Sequence, residues 1–287
     1  MRTLVSIACL AMLGGCVMIV GPDGDGDVHV RSAFSSAPVV EGNGNYTREV
    51  RTIGSLPQLA VNGSMQVDVR VGPAPSLVVE ADSNLLPLIR TETSGDTLRI
   101  SADRIRTRNP VHIVYTVPRL TGVQANGSGR INVEGLNGAP LQARLNGSGV
   151  LELAGDVAQL DAQLNGSGRL EANRLRASGA ELNSNGSGYL YAGDLRGEHA
   201  TIGVHGSGKV QARGAVRYLT VHVTGSGSAD LDGLASERGD LSSTGSGSLM
   251  ANVRQDLIAS TSGSGSVRVR GNPPQRSISG RHVVMVD

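Results

Sequence analysis

Apolar and polar residues alternate along the second half of the chain in a pattern that returns about every 20 residues. The positions four and six residues after the first glycine of each Gly-Ser-Gly tripeptide are apolar in all eight copies, and the position between them is mostly polar. These apolar pairs are Ile131 and Val133, Leu151 and Leu153, Leu170 and Ala172, Leu190 and Ala192, Val210 and Ala212, Ala229 and Leu231, Leu249 and Ala251, and Val267 and Val269. The alternation predicts a short β-strand with one buried face.

A further apolar position lies four residues before each tripeptide and is followed mainly by polar residues. It is occupied by Val123, Ala143, Ala162, Leu182, Ile202, Val221, Leu241 and Ala259. This position predicts a second strand, so that each repeat contains two strands joined by two turns.

The tripeptide begins at residues 127, 147, 166, 186, 206, 225, 245 and 263, a spacing that a flexible linker would not keep. The repeat is too short for crossover helices, which need about a dozen residues. Neither strand can bury its apolar face alone, so successive repeats must stack in parallel. The pattern predicts an all-β fold, a single-stranded parallel β-helix of about 20 residues per coil. We expect the right-handed form because parallel crossovers favour that hand.

The tripeptide is interpreted as a corner of the coil. Two glycines around a serine allow positive φ angles where the chain turns sharply. Asn126, Asn146, Asn165 and Asn185 directly precede the first four copies. Stacked asparagines of this kind hydrogen-bond to one another in layered β-structures, which predicts an asparagine ladder beside the corner.

Residues 45–122 also alternate but lack the repeated tripeptide, as in the run Val111, Ile113, Tyr115 and Val117. Solenoids need an atypical terminal unit that covers the first coil. We therefore predict one β-helical domain over residues 45–287, with an irregular β N-terminal cap at 45–122 and the repeats at 123–287.

The N-terminal segment has the features of a signal peptide. Residues 4–13 are apolar, follow Arg2 and are too few to cross a bilayer. The segment ends in Leu13-Gly14-Gly15-Cys16, which resembles the lipobox of bacterial lipoproteins. The resemblance implies a signal peptide at 1–16, a lipid on Cys16 and, because Val17 follows, an outer-membrane destination. An ordinary cleaved signal peptide is the alternative. Residues 17–44 are rich in Gly, Pro, Asp and Ser, which predicts a flexible tether.

Composition excludes several classes of function. The formal net charge of +1 argues against a nucleic-acid partner. The six histidines are scattered without the spacing of metal ligands, and no glycine-rich loop precedes a helix pattern. We therefore predict no metal site and no cofactor.

Two sets of outward side chains are candidates for function. A β-helix enzyme requires clustered acids on one outer face. We interpret Glu152, Glu171 and Asp161 as lying on separate rows, which favours a solvated face and no catalytic residues. Tyr189, Tyr191 and Tyr218 fall in neighbouring coils and form the candidate ligand surface, as a stacking platform for sugar. The alternative is that these tyrosines are amphipathic surface residues.

The C-terminal residues 283–286 are apolar and precede only Asp287. An open strand edge of this kind can pair with another chain. The sequence therefore predicts end-to-end self-association.

Several motifs together resemble a known family. Ala81-Asp82, Leu98-Arg99-Ile100, the repeated Gly-Ser-Gly and the closing Val267-x-Val269-x-Gly271-x-Pro273 are similar to the putative auto-transporter adhesin, head GIN domain family, over residues 45–287. The resemblance implies a β-helical, non-enzymatic, adhesin-like domain of the cell envelope. The resemblance does not imply any particular binding residues.

These features predict an outer-membrane lipoprotein that faces either the periplasm or the exterior. Its N-terminal lipid would hold it in the membrane, and its polar sheet faces would bind a protein or a glycan. The alternatives are a periplasmic structural or sensing lipoprotein without adhesion and a carbohydrate-active β-helix enzyme.

Overall fold

The computed structural model describes residues 18–22, 28–32, 39–102 and 104–286 of the 287-residue chain. The chain divides into two units, Met1–Val39 and Val40–Asp287. In the first unit, β1 (Met18–Pro22) and β2 (Val28–Ser32) form an antiparallel pair. The predicted signal peptide with Cys16, and parts of the predicted tether, lie outside the described residues. Nowhere in the described ranges does a helix have the length and apolar content needed to cross a membrane.

The second unit consists almost entirely of strands, with one turn of 3-10 helix at Leu86–Leu88. Its strands are β3 (Val40–Glu41), β4 (Tyr46–Arg51), β5 (Gln58–Asn62), β6 (Gln66–Val71), β7 (Ser76–Asp82), β8 (Ile89–Ser94), β9 (Thr97–Ala102), β10 (Ile105–Arg106), β11 (His112–Val117), β12 (Gly122–Gly127), β13 (Arg130–Gly138), β14 (Leu141–Gly147), β15 (Val150–Val157), β16 (Leu160–Gly166), β17 (Arg169–Ala177), β18 (Ala180–Gly186), β19 (Tyr189–Gly206), β20 (Lys209–Gly225), β21 (Ser228–Gly245), β22 (Ser248–Gly263), β23 (Ser266–Arg270), β24 (Gln275–Ser279) and β25 (Val283–Val286).

The repeats form a parallel β-solenoid of about 20 residues per coil, which confirms the predicted fold class. Each strand pairs in parallel with the equivalent strand of the next coil, as β13 does with β15 and β14 with β16. This register brings the corners together, with Gly147 directly beside Gly127 and Gly166. From β19 to β22 the two strands of a coil continue into each other, and the register shifts at the bend between them.

The stacking order in the cap differs from the order along the chain. Strands β5 and β6 form a coil that pairs directly with the first repeat, through β12 and β13. The later strands β9 and β11 pair with the opposite edges of the same coil. Antiparallel pairings of β8 with β9, and of β7 with β11 and β4, cover this end. Strand alternation predicted a cap here, but it carries no information about which coil stacks on which.

The predicted inward positions are buried in all eight repeats, each at most 2% exposed. A third inward position lies near the bend, nine residues after the first glycine in several repeats. It is held there by Leu136, Leu175, Leu195 and Leu234, which are at most 4% exposed. Sequence analysis missed it because the position is not apolar in every repeat: Gly155 and Gly214 are the strand partners of these leucines. In those two repeats the buried Val157 and Val216 stand two residues further on. The core is therefore mainly aliphatic and reaches the bend, with Ser184, Ser236 and Ser243 buried among the apolar side chains.

The C-terminal end of the solenoid is formed by β24 and β25. These strands pair with β22 and β23, respectively. Two of their apolar side chains are exposed, Ile278 at 44% and Val284 at 51%. End-to-end self-association stays a prediction.

Candidate functional site

The Gly-Ser-Gly corner is a packing element in which both glycines are required. The first glycine adopts a positive φ, as Gly186 does at 124°, and a Cβ there would lie 2.5 Å from the carbonyl oxygen of Gly166 in the preceding coil. A Cβ on the second glycine, Gly188, would lie 2.6 Å from the Gly168 carbonyl oxygen. The N–H of Ser187 donates to the Gly166 carbonyl at 3.0 Å. The corner amides therefore bind the neighbouring coil and do not form a phosphate cradle.

The predicted asparagine ladder runs beside this corner. The side-chain amides of Asn146, Asn165 and Asn185 each donate to the side-chain carbonyl of the asparagine one coil earlier, at 2.7, 2.8 and 2.9 Å. Asn126 donates in the same way to Asn62 of the cap at 2.7 Å. The ladder is confirmed and contains one more member than predicted, Asn62. The sequence Asn62-Gly63-Ser64 resembles the Asn-Gly-Ser of the repeats and could have indicated it.

Charged side chains at the bend form ladders of alternating sign. The Arg217 guanidinium lies between Glu198 and Glu237, at 3.4 and 3.5 Å. Arg176 lies 3.7 Å from Asp194 in an equivalent row. Exposed pairs of this kind contribute roughly 0–1 kcal/mol each to stability. Their alternation neutralises this side of the solenoid and leaves no acidic cluster there among the described residues.

The acids Glu152 and Glu171 are direct neighbours in the pairing of β15 with β17. Their interpretation as members of separate rows was wrong, because both stand five residues after the first glycine of their tripeptides. Arg130 forms an ion pair with Glu152, and Arg169 lies 3.6 Å from Glu171. Asp161 lies on β16, the other strand of the coil. The two neighbouring carboxylates are thus each matched by an arginine of the adjacent row.

The structure brings two of the three candidate tyrosines together. Tyr189 and Tyr191 both face outward at the start of β19 and are half-buried. Arg213 places its guanidinium 5.7 Å from the centroid of the Tyr191 ring. Tyr189 and Tyr191, which we call the aromatic pair, therefore stand two residues apart on the outer face of the first strand of their coil.

Tyr218 lies in a different row, beyond the bend on β20. Its ring stacks on His199, with ring centroids 5.0 Å apart and an interplanar angle of 15°. The guanidinium groups of Arg217 and Arg238 each lie 5.6 Å from the Tyr218 ring centroid. Its ring is already engaged by neighbouring side chains.

An open groove follows the aromatic pair along the same face. The outward position three residues after the first glycine holds Arg130, Val150, Arg169, Tyr189, Lys209, Ser228, Ser248 and Ser266 in successive repeats. The change to serine leaves a groove of about 420 Å³, which we call the serine trough. It is lined by Lys209, Ser228, Ala229, Asp230, Ser248, Leu249, Met250, Ser266 and Arg268.

The trough runs along the axis of the solenoid. Lys209, Ser228, Ser248 and Ser266 are partners in successive parallel pairings. Three such steps extend ~14 Å at the usual strand spacing of ~4.8 Å. The trough is therefore long enough for an extended chain molecule lying across the coils.

A chain of hydrogen bonds joins the aromatic pair to the trough. The Tyr189 hydroxyl donates to the side-chain oxygen of Gln211, and the Gln211 amide donates to Asp230 Oδ2 at 2.6 Å. Lys209 Nζ lies 3.7 Å from the same carboxylate oxygen. Burial, followed by the nearby Tyr191 and Asp230, raises the pKa of Tyr189, so its hydroxyl stays protonated and available as a donor. Hydroxyl, amide, carboxylate and ammonium groups thus meet at one end of the trough.

A histidine held by two carboxylates lies in the cap, and sequence analysis did not identify it. His112 Nε2 lies 2.9 Å from Asp68 Oδ2, and its Nδ1 lies 3.0 Å from Glu80 Oε2. Burial lowers the pKa of His112, but the hydrogen bonds and charges of Glu80 and Asp68 outweigh burial and raise the pKa overall. The three residues come from three strands far apart in sequence, and no local motif signals the cluster.

Asp82, part of the motif Ala81-Asp82, joins two loops of the cap. Its carboxylate accepts hydrogen bonds from the Asn109 amide and the Thr107 hydroxyl, both at 2.9 Å. The bond from Asn109 is the largest influence on the pKa of Asp82, and with the bonds from Thr107 and the Gly44 backbone it outweighs burial and lowers the pKa. These contacts give Asp82 a structural role in the cap.

Comparison with known proteins gave matches at the level of family and fold. A sequence model of the family described as putative auto-transporter adhesin, head GIN domain, matches residues 56–193 and 169–273. The overlapping segments together cover most of the cap and the solenoid as far as β23. The comparison with curated proteins found no match.

Three solved structures share the fold. A putative adhesin from Parabacteroides merdae has a TM-score of 0.69 at 21% identity, over 86% of this chain and 99% of that chain. A putative lipid binding protein from Parabacteroides distasonis has a TM-score of 0.66 at 23% identity, with the same coverage. A putative adhesin from that species has a TM-score of 0.66 at 20% identity, over 86% and 98%. At these identities the likeness concerns the fold alone.

Proposed function

This chain belongs to the putative auto-transporter adhesin, head GIN domain family, and on that premise we propose that it is a non-enzymatic, adhesin-like protein of the cell envelope that binds carbohydrate in the serine trough. The observation that carries the proposal is the hydrogen-bonded chain from Tyr189 through Gln211 to Asp230. It links an outward-facing aromatic pair to an open groove on the same face.

The chemistry of the trough suits a saccharide. Sugars present hydroxyl groups, which both donate and accept hydrogen bonds, and apolar ring faces, which pack against aromatic side chains. Asp230 supplies an acceptor and the three serines supply hydroxyls. Tyr189 is the strand neighbour of Lys209 at one end of the trough. Because these side chains lie on paired strands, little ordering is needed on binding.

The carboxylates favour binding over hydrolysis. A glycosidase of the usual kind needs two carboxyl groups with different roles on either side of the bond that is cleaved. Among its lining residues, all of them described, the trough has a single carboxylate, Asp230. Lys209 and Gln211 already engage that group.

Binding is tested with the full chain carrying Cys16→Ala, which removes the proposed acylation site. A glycan array identifies ligands, and calorimetry measures their affinity. Tyr189→Ala and Ser248→Leu should each weaken binding about tenfold, equivalent to about 1.4 kcal/mol. Tyr218→Ala is the matched control, because it removes the same side chain from another row. Unchanged affinity in both trough variants, or a loss confined to Tyr218→Ala, would reject this site.

The proposed location rests on residues 1–16 and on family membership. We propose that a lipid on Cys16 anchors the protein in the outer membrane with the solenoid facing outward. Incorporation of a fatty-acid analogue should occur in the unaltered chain and be lost in Cys16→Ala. Protease treatment of intact cells should cleave the exposed protein. Protection of the solenoid from protease would favour the periplasmic structural or sensing role instead.

A further inference from the structure

The proposed carbohydrate function does not specify a class of saccharide. The charged residues of the trough favour one class. Resting on that function, we infer that the bound saccharide carries a carboxylate and that Arg268 is the residue that recognises it. The inference depends on how the three charged groups of the trough, Lys209, Asp230 and Arg268, are distributed along it.

The charges at one end of the trough are already matched. Lys209 Nζ lies 3.7 Å from Asp230 Oδ2, and Gln211 donates to the same oxygen at 2.6 Å. Arg268 stands in the same row as Asp230, two strand steps away, with Met250 between them. Two steps correspond to ~10 Å at ~4.8 Å per step, too far for an ion pair.

Among the described residues, those around Arg268 supply no counter-charge. Its partners in the adjacent strands are Met250 on one side and Val284 on the other. Within the described part of the chain, the Arg268 guanidinium makes no ion pair and no hydrogen bond. Arg270, two residues further on, is paired with Asp232 at 2.8 Å.

Other arginines on this face are matched by acids of the protein itself. Arg130 is paired with Glu152, and Arg169 with Glu171, each across to the neighbouring row. Arg268 departs from that arrangement at the one stretch of the face where the adjacent row has been reduced to serines. Arg268 stands in the row that holds Glu152 and Glu171 in the earlier coils, so the positions of acid and arginine are exchanged here. A carboxylate on a ligand in the trough would lie in the row that holds Arg130 and Arg169 in those coils.

The guanidinium group suits this ligand for a geometric reason. Its planar fork can bind both oxygens of a carboxylate at once, which an ammonium group cannot do. With Asp230 neutralised by Lys209, the uncompensated charge of the trough is a single positive one. Acidic sugars, such as uronates and sialic acids, share the required carboxylate beside several hydroxyls.

The test compares acidic saccharides with their neutral counterparts in calorimetry. The probes are tetragalacturonate and its methyl ester, together with sialyllactose and lactose. Binding to the full chain carrying Cys16→Ala should be about tenfold tighter for at least one acidic probe than for its counterpart. This preference should weaken as salt concentration rises, because the pair is exposed. The two acidic probes distinguish a uronate from a sialic acid as the source of the carboxylate.

Two arginine variants isolate the role of Arg268. Arg268→Gln should remove the preference for the acidic probe, and Arg268→Lys should restore it only in part, since lysine keeps the charge but loses the fork. Arg254→Gln removes the same charge from an exposed site near the bend and should preserve the preference. Equal binding of acidic and neutral probes, or equal effects of Arg268→Gln and Arg254→Gln, would overturn this inference while leaving carbohydrate binding in place. Binding of neither kind of probe would also overturn this inference, and carbohydrate binding itself would be overturned if the glycan array gave no ligand.

Discussion

Asn146 donates a side-chain hydrogen bond to Asn126 across one coil step, with 2.7 Å between nitrogen and oxygen. Asn146 also accepts a bond from Asn165 at 2.8 Å, so it has a partner on both sides. The ladder therefore links each coil to the next through side chains as well as through backbone pairing.

Replacing a central member of this ladder should destabilise the solenoid. Asn146→Ala leaves the Asn165 amide without its partner and leaves the Asn126 oxygen with only the hydrogen bond from Gln124. In a half-buried row this loss costs about 1–3 kcal/mol. Urea unfolding followed by circular dichroism measures the change. Ser148→Ala is the control, because that serine is exposed and should change the free energy of unfolding by less than about 0.5 kcal/mol. Equal stability of the two variants would contradict a stabilising ladder.

The second glycine of the corner should tolerate no side chain. A Cβ on Gly188 would lie 2.6 Å from the Gly168 carbonyl oxygen and 2.7 Å from a methyl carbon of Leu164. Gly188→Ala should therefore lower the free energy of unfolding by about 1–3 kcal/mol, as overpacking does. Gly54→Ala is the matched control, since no heavy atom beyond its chain neighbours lies within 4 Å of the added carbon in the described structure. Thermal unfolding at the same midpoint for both variants would show that the corner can relax.

The inward alanines should set the thickness of the core. Ala192 is 1% exposed and is flanked in register by Ala172 and Ala212. A phenylalanine there would have to displace neighbouring coils, so Ala192→Phe should prevent folding or lower the thermal midpoint sharply. Glu171→Gln, on the outer face, should cost at most about 1 kcal/mol. A soluble, cooperatively folding Ala192→Phe protein would reject the thin-core model.

The fold was predictable because its periodicity survives in the sequence at fixed distances from a rigid tripeptide. Ile131, Leu151 and Leu170 keep the same offset, so their shared burial could be inferred without coordinates. The inward position of Leu136 is not apolar in every repeat, because its strand partner is Gly155 and the buried Val157 stands two residues further on. The stacking order of the cap was hidden for a different reason: strand alternation identifies faces but not neighbours.

The candidate site was predictable only in part. Tyr189 and Tyr191 stand three and five residues after Gly186, on one face, whereas Tyr218 stands twelve residues after Gly206, beyond the bend. Comparing these offsets would have separated Tyr218 from the pair. The serine trough is hard to recognise in the sequence, because it is formed by small side chains at a position where most earlier repeats have large ones. A sequence motif shows which residues are present. It does not show a groove that forms because small side chains replace large ones.

The cap contains a group whose protonation should affect stability. His112 of β11 faces Asp68 of β6 and Glu80 of β7, and Arg48 of β4 lies 3.9 Å from Glu80. The pKa of His112 is raised above its ordinary value of 6.5. A raised pKa in the folded state means that the charged imidazolium stabilises the fold. That contribution is complete below pH 6.5 and is lost as the pH rises through the folded-state value.

The stability difference between the unaltered protein and His112→Gln should therefore be larger at pH 6 than at pH 9. Urea unfolding at both pH values measures it, and taking the difference removes contributions from other titrating groups. The same substitution made in an Asp68→Asn, Glu80→Gln background should give a difference that no longer changes with pH, because the two carboxylates that favour the imidazolium are gone. A difference that is constant with pH in the unaltered background, or that grows towards pH 9, would contradict the stabilising role of the protonated His112.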